Sequence, residues 1–177
     1  MNHLSSMLLT IVALLGACAR ESSPASAPPA TPTAAEALDR MDARAPVPLL
    51  PMMANHQKQN MRDHLVAVQE IVAALGSDDY AAVERAASRI GTSDQMTQSC
   101  SHMGAAAPGF TEQALAFHQT ADRIAQAARD GDRARVASEL ATTLQACTGC
   151  HATWKQQVVD EPTWNRLAGG PAPTHGR

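Results

Sequence analysis

Between Pro48 and Glu161 the chain repeats one pattern four times: an amphipathic run with apolar residues at spacings of three and four, closed by glycine or proline. The first run opens at Pro51, a residue favoured in a first helical turn, and carries Ala54, Met61, Leu65, Val68, Val72 and Leu75 before Gly76. The second starts at Asp78 and passes Val83, Ala87, Ile90, Met96, Cys100 and Met103 before Gly104, with Gly91-Thr92 as a kink midway. The third follows Thr111, with Phe110, Ala114, Phe117, Ala121, Ile124 and Ala128 on one stripe, and Asp130-Gly131-Asp132 ends it. The fourth carries Val136, Leu140, Leu144 and Cys147 and runs to about Val159. No stretch reads as a convincing strand. The expected fold class is all-α, an up-down-up-down four-helix bundle with the start of the first helix beside the end of the last.

Composition agrees and excludes other classes. With 45% hydrophobic and 18% charged residues in 177, the chain is not disordered. Aromatic residues make up only 3%, so the apolar content is mainly Ala, Leu, Val and Met, which favour helix over sheet. A net charge of -3 without a Lys/Arg cluster gives no footprint for nucleic acid. No Ser-His-Asp set, phosphate-binding loop or paired-carboxylate motif stands out, and an enzyme is not expected.

The flanks read differently. Leu8 to Ala17 is an apolar run too short to span a bilayer, ending in small residues as a signal peptide does. Leu15-Gly16-Ala17-Cys18 resembles the bacterial lipobox, in which the cysteine is lipidated and becomes the first mature residue. Residues 1–17 are therefore expected to be a lipoprotein-type signal, although Met1 to Met7 lacks Lys and Arg; an ordinary signal cut near Ala17 to Ala19 is the alternative. Either places the domain outside the cytoplasm. Residues 18–47 form a Pro/Ala/Ser-rich flexible tether with a short helical stretch around Ala34 to Arg44, residues 48–161 form the domain, and 162–177 form a flexible tail.

Chemistry enters at Cys147-Thr148-Gly149-Cys150-His151. The Cys-x-x-Cys-His run is the signature of covalent c-type haem attachment: each thiol adds to one vinyl group, and the histidine ligates iron as the proximal ligand. A thioredoxin-like pair should follow a strand in a βαβ context, which this sequence lacks. A disulfide between residues three apart on a helix is poorly placed. A zinc site would want a second ligand pair, for which only Cys100 with His102 is available. One covalent haem c is the expected cofactor.

Ala127-Ala128-Arg129-Asp130-Gly131-Asp132 through Cys147-Thr148-Gly149-Cys150-His151-Ala152-Thr153-Trp154-Lys155 resembles class II c-type cytochromes, the cytochrome c prime family. The resemblance implies a four-helix bundle with one haem near the C-terminal end of the last helix. Trp154 stands where the family usually has Tyr or Phe, and Lys155 where it often has Arg near the proximal face of the haem. It also implies homodimers, although no outer helix face singles out a patch. The distal face should be covered by the first turns of the first helix, where family members present either an apolar residue or a Met ligand.

Here that stretch is Met52-Met53-Ala54-Asn55-His56, preceded by Pro46-Val47-Pro48-Leu49-Leu50 where the family often has an Arg. At 100° per residue, Met53 lies about 70° from the centre of the stripe, His56 about 130° and Met52 about 170°. Met53 is the best placed of the three as a distal ligand; a core filler over an open iron is the alternative. Cys100 is expected to be a buried small hydrophobe, the alternative being a soft-metal site with Met96 and Met103; His64 and His118 are expected to be partly buried structural histidines.

The leading functional expectation is a periplasmic electron carrier, anchored to the membrane through Cys18 and exchanging electrons with redox proteins. A five-coordinate haem protein that binds NO or CO is the second reading. A haem-free helical bundle that binds copper through Met, His and Cys is the third.

Overall fold

The computed structural model describes residues 31–169, mostly helix. By contacts the chain divides after Met41. In the first unit the described structure is helix α1 (Ala34–Met41), which buries no side chain. A reciprocal cap starts it: the Glu36 amide donates to Thr33 Oγ1 at 3.2 Å, and Glu36 Oε2 accepts from the Thr33 amide at 2.7 Å. The Cys18 assignment and the signal lie outside the described residues.

The second unit holds strand β1 (Ala45–Leu49), helices α2 (Pro51–Gly76), α3 (Tyr80–Arg89), α4 (Asp94–Gly104), α5 (Phe110–Arg129) and α6 (Arg133–Thr153), strand β2 (Trp154–Val158), and helix α7 (Glu161–Ala168). The all-α class stands. No helix among the described residues is long and apolar enough to cross a membrane.

Three expectations are corrected. The second run is two helices, α3 and α4, rather than one kinked helix. Asp122 of α5 accepts from the Thr92 amide at 3.1 Å and from its hydroxyl at 2.6 Å, and Ser93 then caps α4 by accepting from the Met96 amide at 3.1 Å. Gly91 packs against Asp122 so closely that an added Cβ would overlap the carboxylate.

The last long helix stops at Thr153 instead of running to Val159, because Trp154 turns to an extended backbone (φ -119°, ψ 144°). Its indole Nε1 donates to Gln113 Oε1 at 2.7 Å and its ring meets Phe110 edge to face. Residues 154–158 then pair in parallel with 45–49, Ala45 opposite Trp154 and Leu49 opposite Val158. Pro46 and Pro48 fit this pair because alternate residues turn their missing N–H to the unpaired edge.

The domain therefore begins before Pro48 and extends past Glu161. Residues 162–168, expected in a flexible tail, lie in α7, whose first turn Asp160 caps by accepting from the Thr163 amide at 3.0 Å. Trp164 is 2% exposed and packs with Val47, Leu49 and Met53. That indole anchors a segment whose composition alone reads as tail.

Helix α5 packs against α3, α4 and α6, and α2 packs against α3. One core joins Ile71, Val83, Ile124, Val136 and Leu140 through six alanines: Ala74, Ala86, Ala87, Ala125, Ala127 and Ala128. Small side chains let these helices approach, and each fully buried Ile or Val contributes about 1.5–3 kcal/mol relative to exposure. The α5–α6 seam is joined by hydroxyls, Thr143 donating to Thr120 at 2.7 Å and Thr120 to the Phe117 carbonyl at 2.6 Å.

Candidate functional site

Toward the strand pair, α2 and α6 do not close on one another, and a cavity of about 670 Å³ opens between them. That is within the usual size range of small-molecule and cofactor sites, about 300–1,000 Å³. Its α6 wall is the last turns of that helix. Cys147, Cys150 and His151 all line it, as the spacing of three and one on a helix allows. The α4 wall is a sulfur stripe, Met96, Cys100 and Met103, at spacings of four and three. From α5 come Phe110, Ala114, Phe117 and His118.

The α2 wall is Gln57, Met61, His64 and Val68, one stripe at spacings of four, three and four. It is turned by about 90° from the stripe of Ala67, Ile71 and Ala74 that enters the core. Met53 belongs to that core stripe. It is 6% exposed, packed with Val47, Leu49, Phe110 and Trp164, and is not among the residues that line the cavity. Met52 and His56 do not line it either; both are exposed, and His56 Nε2 accepts from Asn60 Nδ2 at 3.3 Å.

Met53 therefore does not face the cavity, whereas Met61 does. The cause is the stripe's centre: Leu65 and Val72, counted as core positions, are 68% and 55% exposed. The available signal was a second period along the same helix, Met61 and His64 with Val68, of which Met61 and Val68 were counted in the core stripe and His64 set beside it.

A cationic clasp fixes the turn that bears His151. Arg44 Nη1 donates to the carbonyl oxygens of His151 at 3.1 Å and Trp154 at 3.4 Å, satisfying groups that the end of α6 leaves open. The same guanidinium pairs with Asp42 at 2.7 Å and holds that carboxyl down at about 2. Lys155 Nζ donates to the Asp42 carbonyl at 2.9 Å. Gln156 Nε2 bridges to Gln57 Oε1 at 2.5 Å and to the Ala54 carbonyl at 3.1 Å, tying β2 to α2.

At the inner end, His64, Phe117 and His118 stack with ring centroids 4.9–5.3 Å apart. His118 Nδ1 lies 2.8 Å from the Ile90 carbonyl, which can only accept, so Nδ1 carries the proton and Nε2 is the bare nitrogen. Burial lowers the pKa of both imidazoles. For His64, to which the neighbouring His118 adds and which Asp63 partly opposes, the value falls to about 4. Both are neutral at pH 7. Burial raises all three thiols, Cys100, Cys147 and Cys150, so they are held as S–H rather than thiolate.

The charge of the lining is one-sided. Arg44, Lys58, Arg62 and Lys155 line the cavity, and no Asp or Glu among the described residues does. Nor do any three His, Cys, Asp or Glu among them group as a metal site of their own. Cys100 is buried as expected, between Met96 and Met103 on the wall, while His102 lies outside the lining with its ring against Trp164. The chain matches no family model, no curated protein and no solved structure.

Proposed function

We propose that this chain is an exported monohaem c-type cytochrome: a four-helix bundle of α2, the α3–α4 pair, α5 and α6, held to the membrane through Cys18 and transferring electrons in the periplasm. One observation carries the reading. Both thiols and the histidine of the Cys-x-x-Cys-His run open into a single apolar cavity that is lined by cations and by no carboxylate among the described residues. A flat apolar body suits such walls, and the residues fit haem.

Cys147 and Cys150 would hold the group, each adding its S–H across one vinyl bond, with nothing leaving. His151 would offer a ring nitrogen to iron, and Arg44, bonded to the His151 carbonyl, keeps that turn in place. Met61 presents a thioether from the α2 wall. Phe110, Phe117, Met96 and Met103 exclude water, and a low dielectric favours the less charged, reduced state. The bound iron supplies the chemistry, the exchange of single electrons.

Expression of the whole chain with a c-type haem maturation system tests the reading. Haem should stay with the polypeptide on a denaturing gel, and Cys147→Ser/Cys150→Ser should release it. Absence of Soret absorbance would overturn the proposal. Met61→Ala should then turn a low-spin spectrum high-spin, whereas Met53→Ala should leave it low-spin.

A further inference from the structure

The cations at the cavity are of two kinds. Arg44 and Lys155 are engaged with Asp42 and the end of α6. Lys58 and Arg62, one turn apart on α2, are exposed at the mouth, and neither forms an ion pair among the described residues. Beside them Leu65 and Leu144 are 68% and 43% exposed and line the same mouth. The nearest acid on α2 is Asp63, outside the lining. A chain of net charge -3 therefore turns an apolar patch with two unpaired cations outward at its cavity.

We propose that this patch docks an acidic redox protein, the apolar residues meeting its centre and Lys58 and Arg62 its carboxylates. The inference rests on the cytochrome reading, since it makes the mouth of the cavity the place where electrons pass. Charge complementarity selects the occupant. Two cations are too few for an anionic lipid surface, where clusters of about 4–8 are the rule. They are enough to steer a protein encounter, because no Asp or Glu among the described residues lines the cavity to repel an acidic partner, and a local field adds to on-rate.

Net charge and patch charge predict opposite salt effects, and this makes the test decisive. The full-length protein carrying its haem is reduced and mixed with hexacyanoferrate(III), a trianion. One electron passes from protein to reagent, giving hexacyanoferrate(II) and no change in bonds. If the patch governs, the rate falls as ionic strength rises from about 10 mM, where the screening length is about 30 Å, and with cationic hexaammineruthenium(III) it rises. If the overall charge of -3 governs, both signs reverse and the proposal fails.

Arg62→Glu should slow the anionic reagent about tenfold at low salt, and Lys58→Glu similarly. Arg85→Glu changes the net charge equally but lies on α3, away from the cavity, and should have little effect. Equal slowing by Arg62→Glu and Arg85→Glu would overturn the patch, as would binding to phosphatidylglycerol vesicles that Arg62→Glu abolishes. The wild-type salt dependence alone decides the matter if a variant fails to mature. A protein with no haem defeats the cytochrome reading, whereas a haem protein with the wrong salt dependence defeats only the docking surface.

Discussion

The two ends of the helical domain are built from the same helices and behave oppositely. At one end α2, α3, α5 and α6 close on Ile, Val and Ala; at the other, α2 and α6 stay apart around Met, His, Cys and Phe. Three of the five aromatic residues, Phe110, Phe117 and Trp154, line the cavity, and none of them enters the alanine core. Close packing needs small side chains, whereas a wall that meets a ligand needs polarisable and rigid ones. The scarce bulky residues mark where the chain leaves room.

The largest effect should separate the ends by stability. Ile124 is fully buried in the alanine core, and Ile124→Ala should cost about 3–4 kcal/mol in urea unfolding. Leu144→Ala, at the cavity mouth, should cost less than about 1 kcal/mol. Comparable losses would mean that the cavity wall is packed like the core.

A smaller effect, about 2 kcal/mol, is expected where the α4 wall meets α5. Gly104 is buried, and an added Cβ would overlap the Thr111 hydroxyl and press on the Phe110 ring. Gly104→Ala should destabilise the fold and displace the sulfur stripe. Gly76→Ala, with nothing near its Cβ, should be neutral or stabilising.

The long helices α2, α5 and most of α6 and the Cys-x-x-Cys-His run were legible because each rests on local chemistry. Asp132 and Gly131 act where the turn signals stand, whereas Asp79, one residue past the Asp78 at which the run was expected to start, caps α3. Strand β1 was not, since Ala45-Pro46-Val47-Pro48-Leu49 has no strand pattern of its own and pairs only because Trp154 turns the chain out of α6. Trp164 was likewise hidden in a Pro/Gly-rich end. On α2 the apolar positions were visible but their division into a core face and a cavity face was not, because Leu65 and Val72 count as core in a pattern while facing solvent in the fold. That division puts Met61 on the cavity wall and Met53 in the cluster beneath the strands.

The cavity end should also carry the pH dependence. His64 is held at about 4 against an unfolded value of 6.5, so below pH 6.5 the unfolded chain takes a proton that the folded chain refuses. Stability is lost as pH falls from 6.5 to 4 and changes no further from this group below that. Discounted for partial exposure, the wild type should lose about 2 kcal/mol more than His64→Gln between pH 7 and pH 4. Parallel urea midpoints for the two proteins would remove His64 as the source.

The smallest effects test whether the two ends also differ in how loosely they are held. Asp132 caps α6 at the closed end, accepting from the Arg135 amide at 2.9 Å, and Ser93 caps α4 at the cavity, accepting from the Met96 amide at 3.1 Å. Replacing either by Ala should cost about 1 kcal/mol, since each leaves one first-turn donor unpaired. The consequences should differ in place. Helix α4 has only eleven residues and packs chiefly on α5 and β1, so Ser93→Ala should speed amide exchange along the wall, at Cys100 and Met103. Helix α6 is buried against α5 through Val136 and Leu140, so Asp132→Ala should speed exchange only in its first turn. Equal spread of exchange from the two caps would mean that the α4 wall is as rigid as the alanine core and that the cavity is not the looser end of the molecule.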